Sequence, residues 1–220
     1  MKFSFSLLFE VLSFLFSVFF LIRKPKNKLL QYFVPFLMLT VIVESMGWWW
    51  SYFGGGAYKN AMFNLFIPVE ISFYSFLFLK HLHKPVFKTI IRVFIPLFLV
   101  LAICNILFLQ GFNETFNSYT AVLGSFFIVL CCCLFFYESI TPVQIDLQLS
   151  KQPFFWIVSG LLIFYLGSVI ANALFEYLKN NDLHAESKRI YIIIFGSLNV
   201  ILYSSFVIAF FICPNDRKTS

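Results

Sequence analysis

The chain has 220 residues, 60% of them hydrophobic and only 12% charged, with a mean hydropathy of +0.88. A soluble domain keeps about half of its residues apolar and about a quarter charged, so this composition excludes a water-soluble globular fold. The net charge of +6 does not point to nucleic acid, because the basic residues cluster at the ends of apolar segments, where membrane topology requires them.

Crossing a hydrocarbon core of about 30 Å takes roughly 20 largely apolar residues in a helix. Seven segments are predicted to do so, at approximately 4–22, 29–49, 61–80, 89–109, 119–140, 154–177 and 190–212. The expected fold class is all-α: one polytopic domain over residues 1–220, a bundle of seven transmembrane helices. The first segment is longer than the apolar part of a signal peptide, is interrupted by Glu10, and has no small-residue cleavage site after it. The breaks that follow are Arg23 to Lys28, Gly54 to Asn60, His81 to Lys88, Gly111 to Ser118, Thr141 to Pro153 and Lys179 to Arg189. Each is too short to insert a soluble domain, and Pro214 to Ser220 is too short for a catalytic or DNA-binding module. Pro35, Pro68 and Pro96 fall inside segments, where membranes tolerate them as kinks. Pro68, two residues before Glu70, is placed to open room around that carboxylate or to kink the helix for packing alone.

Lys and Arg set the orientation. With the N-terminus outside, the inner side holds eleven (Arg23, Lys24, Lys26, Lys28, Lys80, Lys84, Lys88, Arg92, Lys151, Arg217, Lys218) and the outer side five (Lys2, Lys59, Lys179, Lys188, Arg189). The excess predicts N-out, C-in, in a bacterial inner membrane. Trp48, Trp49, Trp50, Tyr52 and Tyr58 then fall at the outer interface, where amphipathic rings are favoured.

Ionisable groups inside a bilayer cost roughly 2.5–3.5 kcal/mol at the centre and rarely face lipid. In this topology Glu10, Glu44, Asn64, Asn105, Asn172 and Glu176 fall in the outer half of their helices, with Glu70 and Asn199 nearer the midplane. Helical spacing gathers them into stripes. Ser6, Glu10, Ser13 and Ser17 share a face of the first helix; Thr40, Glu44 and Trp48 share one on the second, and Glu70 and Tyr74 on the third. Tyr165, Ser168, Asn172 and Glu176 share a face of the sixth, and Gly196, Asn199 and Tyr203 of the seventh. Of these, Glu10, Glu44, Asn64, Glu70, Tyr74, Asn105, Tyr165, Ser168, Asn172, Glu176 and Asn199 are the candidate ligand-binding set, an outward-facing polar cavity built around Glu70. Interhelical hydrogen bonding and contact with interfacial water are the competing readings. On the inner side, Glu138 is expected to pair with Arg92 or a Lys. Gly160, Gly167 and Ala171 form a small-residue surface for close helix packing.

Catalytic signatures are absent. His81, His83 and His184 fall on different sides of the membrane and cannot share a metal; no HExxH, GxSxG or phosphate-binding glycine motif occurs. Cys104, Cys131, Cys132, Cys133 and Cys213 lie in or beside apolar runs, and three consecutive Cys point about 100° apart on a helix. No enzyme activity, metal or cofactor is expected. The 33 Phe residues, beside many Ile, Lys and Asn, fit an AT-rich coding sequence rather than an aromatic site.

The second half, about residues 60–212, carries Phe116-Asn-Ser-Tyr-Thr120, Leu123-Gly-Ser125, Phe136-Tyr-Glu138, Pro153-Phe-Phe-Trp-Ile157, Gly160-Leu-Leu and Phe164-Tyr-Leu-Gly167. In these it resembles a family of uncharacterised bacterial seven-helix membrane proteins, similar to the membrane module that precedes a histidine-kinase output. The resemblance implies a sensor-like role. No kinase is present in these 220 residues, so output is expected to need a separate signalling partner on the cytoplasmic side. The partners expected are membrane lipid, that protein, and a small ligand or cation, with no nucleic acid. A small secondary transporter using the intramembrane carboxylates, and a structural subunit of a larger complex, are the alternatives.

Overall fold

The computed structural model describes residues 5–22, 28–140, 149–180 and 184–213. Among them every regular element is helical. The order is α1 (Phe5–Ile22), α2 (Lys28–Gln31), α3 (Phe33–Tyr52), α4 (Gly56–His81), α5 (Pro85–Cys104) with a π-helical continuation (Asn105–Leu109), α6 (Ser118–Ile140), a 3₁₀ turn (Leu149–Lys151), α7 (Pro153–Asn180) and α8 (His184–Ile212).

Six of these helices are long and apolar enough to cross a membrane: α3, α4, α5 with its continuation, α6, α7 and α8. The expectation was seven. The first helix is apolar over Leu7–Ile22 but shorter; all 18 of its residues span about 27 Å at 1.5 Å each, just under the hydrocarbon thickness. The outward surface is oily, with Leu15, Phe19, Ile42, Leu65, Val93, Phe126, Ile170 and Phe211 all exposed. Those spans and that surface are the ones of a multi-pass integral membrane protein, since lipid can solvate what water would expel.

The helices outrun the apolar segments at several ends. Helix α4 begins at Gly56 rather than near 61, and α5 at Pro85 rather than near 89. A polar residue does not stop a helix whose backbone bonds are already propagating. The stops that hold are glycines with positive φ, Gly54 (+80°) between α3 and α4 and Gly111 (+70°) after the π-helical turn, a conformation that costs glycine nothing.

The chain divides into two units. The first comprises Met1–Met38 and Asp146–Ser220. In it α1 and α7 both pack on α8. Phe33 is fully enclosed, its ring edge-on to Phe206 (centroids 5.2 Å) and Phe210 (5.9 Å), and Phe20 meets Phe210 at 5.4 Å. The small residues of α7 work as the sequence implied: Gly160 faces Ser205, and a Cβ at Gly167 would stand 2.6 Å from a Leu198 methyl. The second unit is Leu39–Ile145, in which α5 and α6 both pack on α4. Phe94 stacks on Phe127 with centroids 3.4 Å apart, and Gly124 lets Ile71 approach to 2.7 Å of where its Cβ would be.

A side chain at Gly160 has no free volume. Gly160→Leu should therefore destabilise the chain by about 1–3 kcal/mol through overpacking. Gly56→Ala, whose Cβ meets nothing within 4 Å, should stay within about 0.5 kcal/mol of wild type. Thermal melts of the detergent-purified chain followed by helical circular dichroism check both.

Candidate functional site

One end of the second unit is held by amides. Asn64, on α4 and 1% exposed, donates through Nδ2 to the carbonyls of Phe112 and Thr115 (both 2.9 Å), and its Oδ1 accepts the backbone N–H of Asn117 at 2.9 Å. Asn60, one turn earlier, donates to the Glu114 carbonyl at 3.3 Å. Asn105 opens the π-helical turn and donates to Gln110 Oε1 (3.0 Å) and Thr120 Oγ1 (2.9 Å). Gln110 in turn donates to Ser118 Oγ at 3.0 Å, while its own carbonyl accepts the Thr115 hydroxyl at 2.8 Å. The wider turn, closed by Gln110 N–H on the Asn105 carbonyl at 2.9 Å, brings Gln110 round to meet Asn105. Two candidate ligand-binding amides thus sew the 110–117 connection to the helix ends.

The opposite end is held by a carboxylate. Glu138, near the end of α6, accepts the backbone N–H groups of His83 (3.0 and 3.1 Å) and Lys84 (2.7 Å), just ahead of α5. The expected ion pair with Arg92 is not formed. Orphan N–H groups at a helix start, together with the positive end of its dipole, hold a carboxylate better than a mobile side chain would. The Lys84 ammonium instead stands 4.6 Å from the centroid of Tyr137 and 5.5 Å from that of Phe87.

Between these ends lie Glu44, Glu70 and Tyr74. Glu44 is half-buried on α3, near enough for the Lys59 charge to act on it. Glu70 is half-buried and Tyr74, one turn later on α4, is 1% exposed. Pro68 does border open space, a groove of about 400 Å³ lined by Val69, Ser72, Phe73, Phe76 and Leu99, but Glu70 is not in its wall. A second recess, of about 170 Å³, lies between α5 and α6. Asn105 and Thr120 are in its wall among Phe98, Leu101, Ala102 and Leu123. Asn105 Oδ1 is buried without a hydrogen-bond partner, as are both polar side-chain atoms of Asn117.

In the first unit the α1 stripe faces inward as its 4,3,4 spacing requires. Glu10 is 1% exposed and Ser13 and Ser17 are fully buried, Ser17 donating to the Phe14 carbonyl at 2.6 Å. The side chain of Ser6 lies outside the described residues. On α7, Tyr165 and Ser168 are buried; Ser168 donates to the Tyr165 carbonyl (2.9 Å) and Asn172 to the Ser168 carbonyl (2.8 Å). The Asn172 Oδ1 accepts the Tyr191 hydroxyl of α8 at 3.4 Å. Such returns to a preceding carbonyl satisfy a polar side chain within its own helix. Glu176 sits on α7, but its side chain lies outside the described residues. Asn199 is half-buried on α8, and a Cβ at Gly196, on the same stripe, would meet nothing within 4 Å.

The candidate residues therefore gather in groups: Asn64 and Asn105 on the 110–117 connection, Glu70 with Tyr74, and Tyr165, Ser168 and Asn172 along α7. Gln110, Thr115, Asn117 and Thr120 belong to the first group and were not singled out by sequence. Thr115 and Asn117 fall in the polar break from Gly111 to Ser118, which reads as a plain loop, and Gln110 and Thr120 lie just outside it. Among the described residues no three His, Cys, Asp or Glu side chains are placed to hold a metal.

Asn64→Ala should cost about 2–3 kcal/mol, because it strips partners from two carbonyls and a buried N–H at once. Faster amide exchange confined first to residues 110–117, read by mass spectrometry, is the expected signature; uniform loosening of the whole chain would contradict the local role. No family model, curated protein or solved structure matches this chain, so its function has to be read from these residues.

Proposed function

We propose that the chain is a sensor-like membrane module, a seven-helix bundle with α1 as its first span, oriented N-out and C-in in a bacterial inner membrane. It perceives a small ligand through a polar recess in its outer half and passes the bound state to a separate cytoplasmic partner through its inner loops. It carries no catalytic chemistry in this reading. The resemblance of residues 60–212 to the membrane modules of histidine kinases supports the same role.

The observation that carries the reading is the α5–α6 recess. A cavity of about 150 Å³ lined by apolar groups accepts benzene, so the 170 Å³ space is large enough for a ring-sized molecule. Its wall is apolar except for Asn105, Tyr119 and Thr120, and a buried acceptor, Asn105 Oδ1, lacks a donor. Leaving that acceptor unmet costs about 1–3 kcal/mol, which a ligand bearing one hydroxyl or N–H donor would offset. The ligand class is thus a small apolar molecule with a single donor.

Benzyl alcohol and toluene, which share the ring and differ in the hydroxyl, make the test. Benzyl alcohol should raise the melting midpoint of the purified chain more than toluene at equal concentration. Asn105→Leu, which removes the unmet acceptor at similar volume, should narrow that difference. Equal shifts from both compounds would remove the polar recess as a binding site.

A second reading, coupled transport, draws on Glu10, a carboxylate 1% exposed within an apolar helix. Proton uptake into proteoliposomes that is lost in Glu10→Gln or Glu70→Gln would replace the sensor by a transporter. Orientation has its own check: a reporter active only in the cytoplasm should work when fused after Ser220 and fail when fused before Met1.

A further inference from the structure

The groove at Pro68 continues into positive charge. Along α4, Val69, Phe73, Phe76 and Lys80 recur at 4, 3 and 4 residues and so form one stripe. Along α5, Leu99, Arg92 and Lys88 recur at 7 and 4 and form another. The groove joins the two stripes, since Leu99 from α5 lines it together with Val69, Phe73 and Phe76 from α4. Both stripes run from apolar to cationic in the same direction, towards the tight turn at Leu82 to Lys84 that links the helices.

Depths agree. At 1.5 Å per residue, Arg92 lies about 10 Å from the start of α5 and Phe76 about 8 Å from the end of α4. The Lys80 ammonium rests 5.5 Å from the centroid of the Phe76 ring, at the foot of the groove. Lys80 and Arg92 are exposed and Lys88 half-buried. None of the three has a carboxylate partner among the described residues; the nearby Glu138 is held by the backbone amides of His83 and Lys84.

We propose that the α4–α5 face binds one anionic phospholipid, with its phosphate between Lys80, Lys88 and Arg92 and an acyl chain along the Pro68 groove. The proposal rests on the chain being a membrane protein and is independent of the sensor reading. A phosphate held by Lys and Arg close to a membrane surface gains from each cation, and an apolar groove of about 400 Å³ gives an acyl chain a rough wall in place of bulk lipid. A free phosphate would use only the cationic foot. The Pro68 groove is the part that requires a lipid.

The full chain in neutral detergent is titrated with phosphatidylglycerol or phosphatidylcholine of equal chain length, and bound lipid is counted by native mass spectrometry. Phosphatidylglycerol should bind roughly 30- to 150-fold tighter, as expected for two or three surface cations. The pair Lys88→Gln and Arg92→Gln should abolish that preference and leave phosphatidylcholine unchanged, whereas Leu99→Trp should weaken both lipids by filling the groove. Lys59→Gln, at the other end of α4, should change neither. A separate readout spares the charges: in Leu99→Cys, maleimide labelling at that thiol should slow with phosphatidylglycerol and not with inorganic phosphate. Equal affinity for the two lipids, a preference that survives the double variant, or protection by inorganic phosphate alone overturns the proposal. So does cross-linking of Leu99→Cys into a dimer that excludes lipid, which would assign the groove to a second copy of the chain.

Discussion

Within a bilayer no water stands ready to satisfy a backbone or side-chain polar group, so each must find its partner inside the protein. Much of this structure follows from that constraint. It explains why all described elements are helical, and why Ser17, Ser75, Ser125, Ser159 and Ser168 all donate to a carbonyl three or four residues earlier. It also explains where the expensive side chains are spent. Helix ends carry unpaired N–H and C=O groups, and the second unit meets backbone groups near them with long-range partners at both ends: Asn64 on the 110–117 connection, Glu138 just ahead of α5.

The same constraint separates structural polarity from polarity that has something left to offer. Asn64 has both ends of its amide engaged and has no capacity for a ligand without losing the loop. Asn105 is different, because its Nδ2 makes two bonds while its Oδ1 makes none, and it stands in the wall of a recess. Chemistry in a membrane interior is more readily assigned to such leftover valence than to polar residue type. Charge divides in a similar way: Lys84 stands over the rings of Tyr137 and Phe87 and Glu138 is held by backbone amides. That leaves Lys80, over the Phe76 ring, and Lys88 and Arg92 as the cations of that end with no carboxylate partner among the described residues.

Packing supplies the other half of stability. Lipid tails are as apolar as the helix surfaces, so association depends on close fit rather than on expelling water. Gly160, Gly167 and Gly124 matter for that reason, each admitting a side chain of a neighbouring helix where a Cβ would stand. The enclosed rings of Phe33, Phe206 and Phe98 show that the abundant Phe serves the core as well as the lipid-facing surface.

Sequence alone determined the class of solvent, the positions of the apolar spans to within a turn or so, and the inward direction of the Glu10, Ser13 and Ser17 stripe. Each of these follows from composition or from the 3.6-residue period, which are local properties. It also read the small-residue face of α7 as a packing surface. What only tertiary structure decided is the partner of each polar group. Glu138 and Arg92, near one another in depth on the inner side, suggest an ion pair, yet the carboxylate takes the backbone N–H groups of His83 and Lys84 ahead of α5. The Gly111 to Ser118 break looks like an idle loop until Asn64, some 50 residues earlier, is seen to hold it. Room at Pro68 opens away from Glu70, on the face that Leu99 of α5 completes. Hydrogen bonds and cavities between helices depend on which residues far apart in the chain come to lie together, and periodicity along one helix carries no information about that.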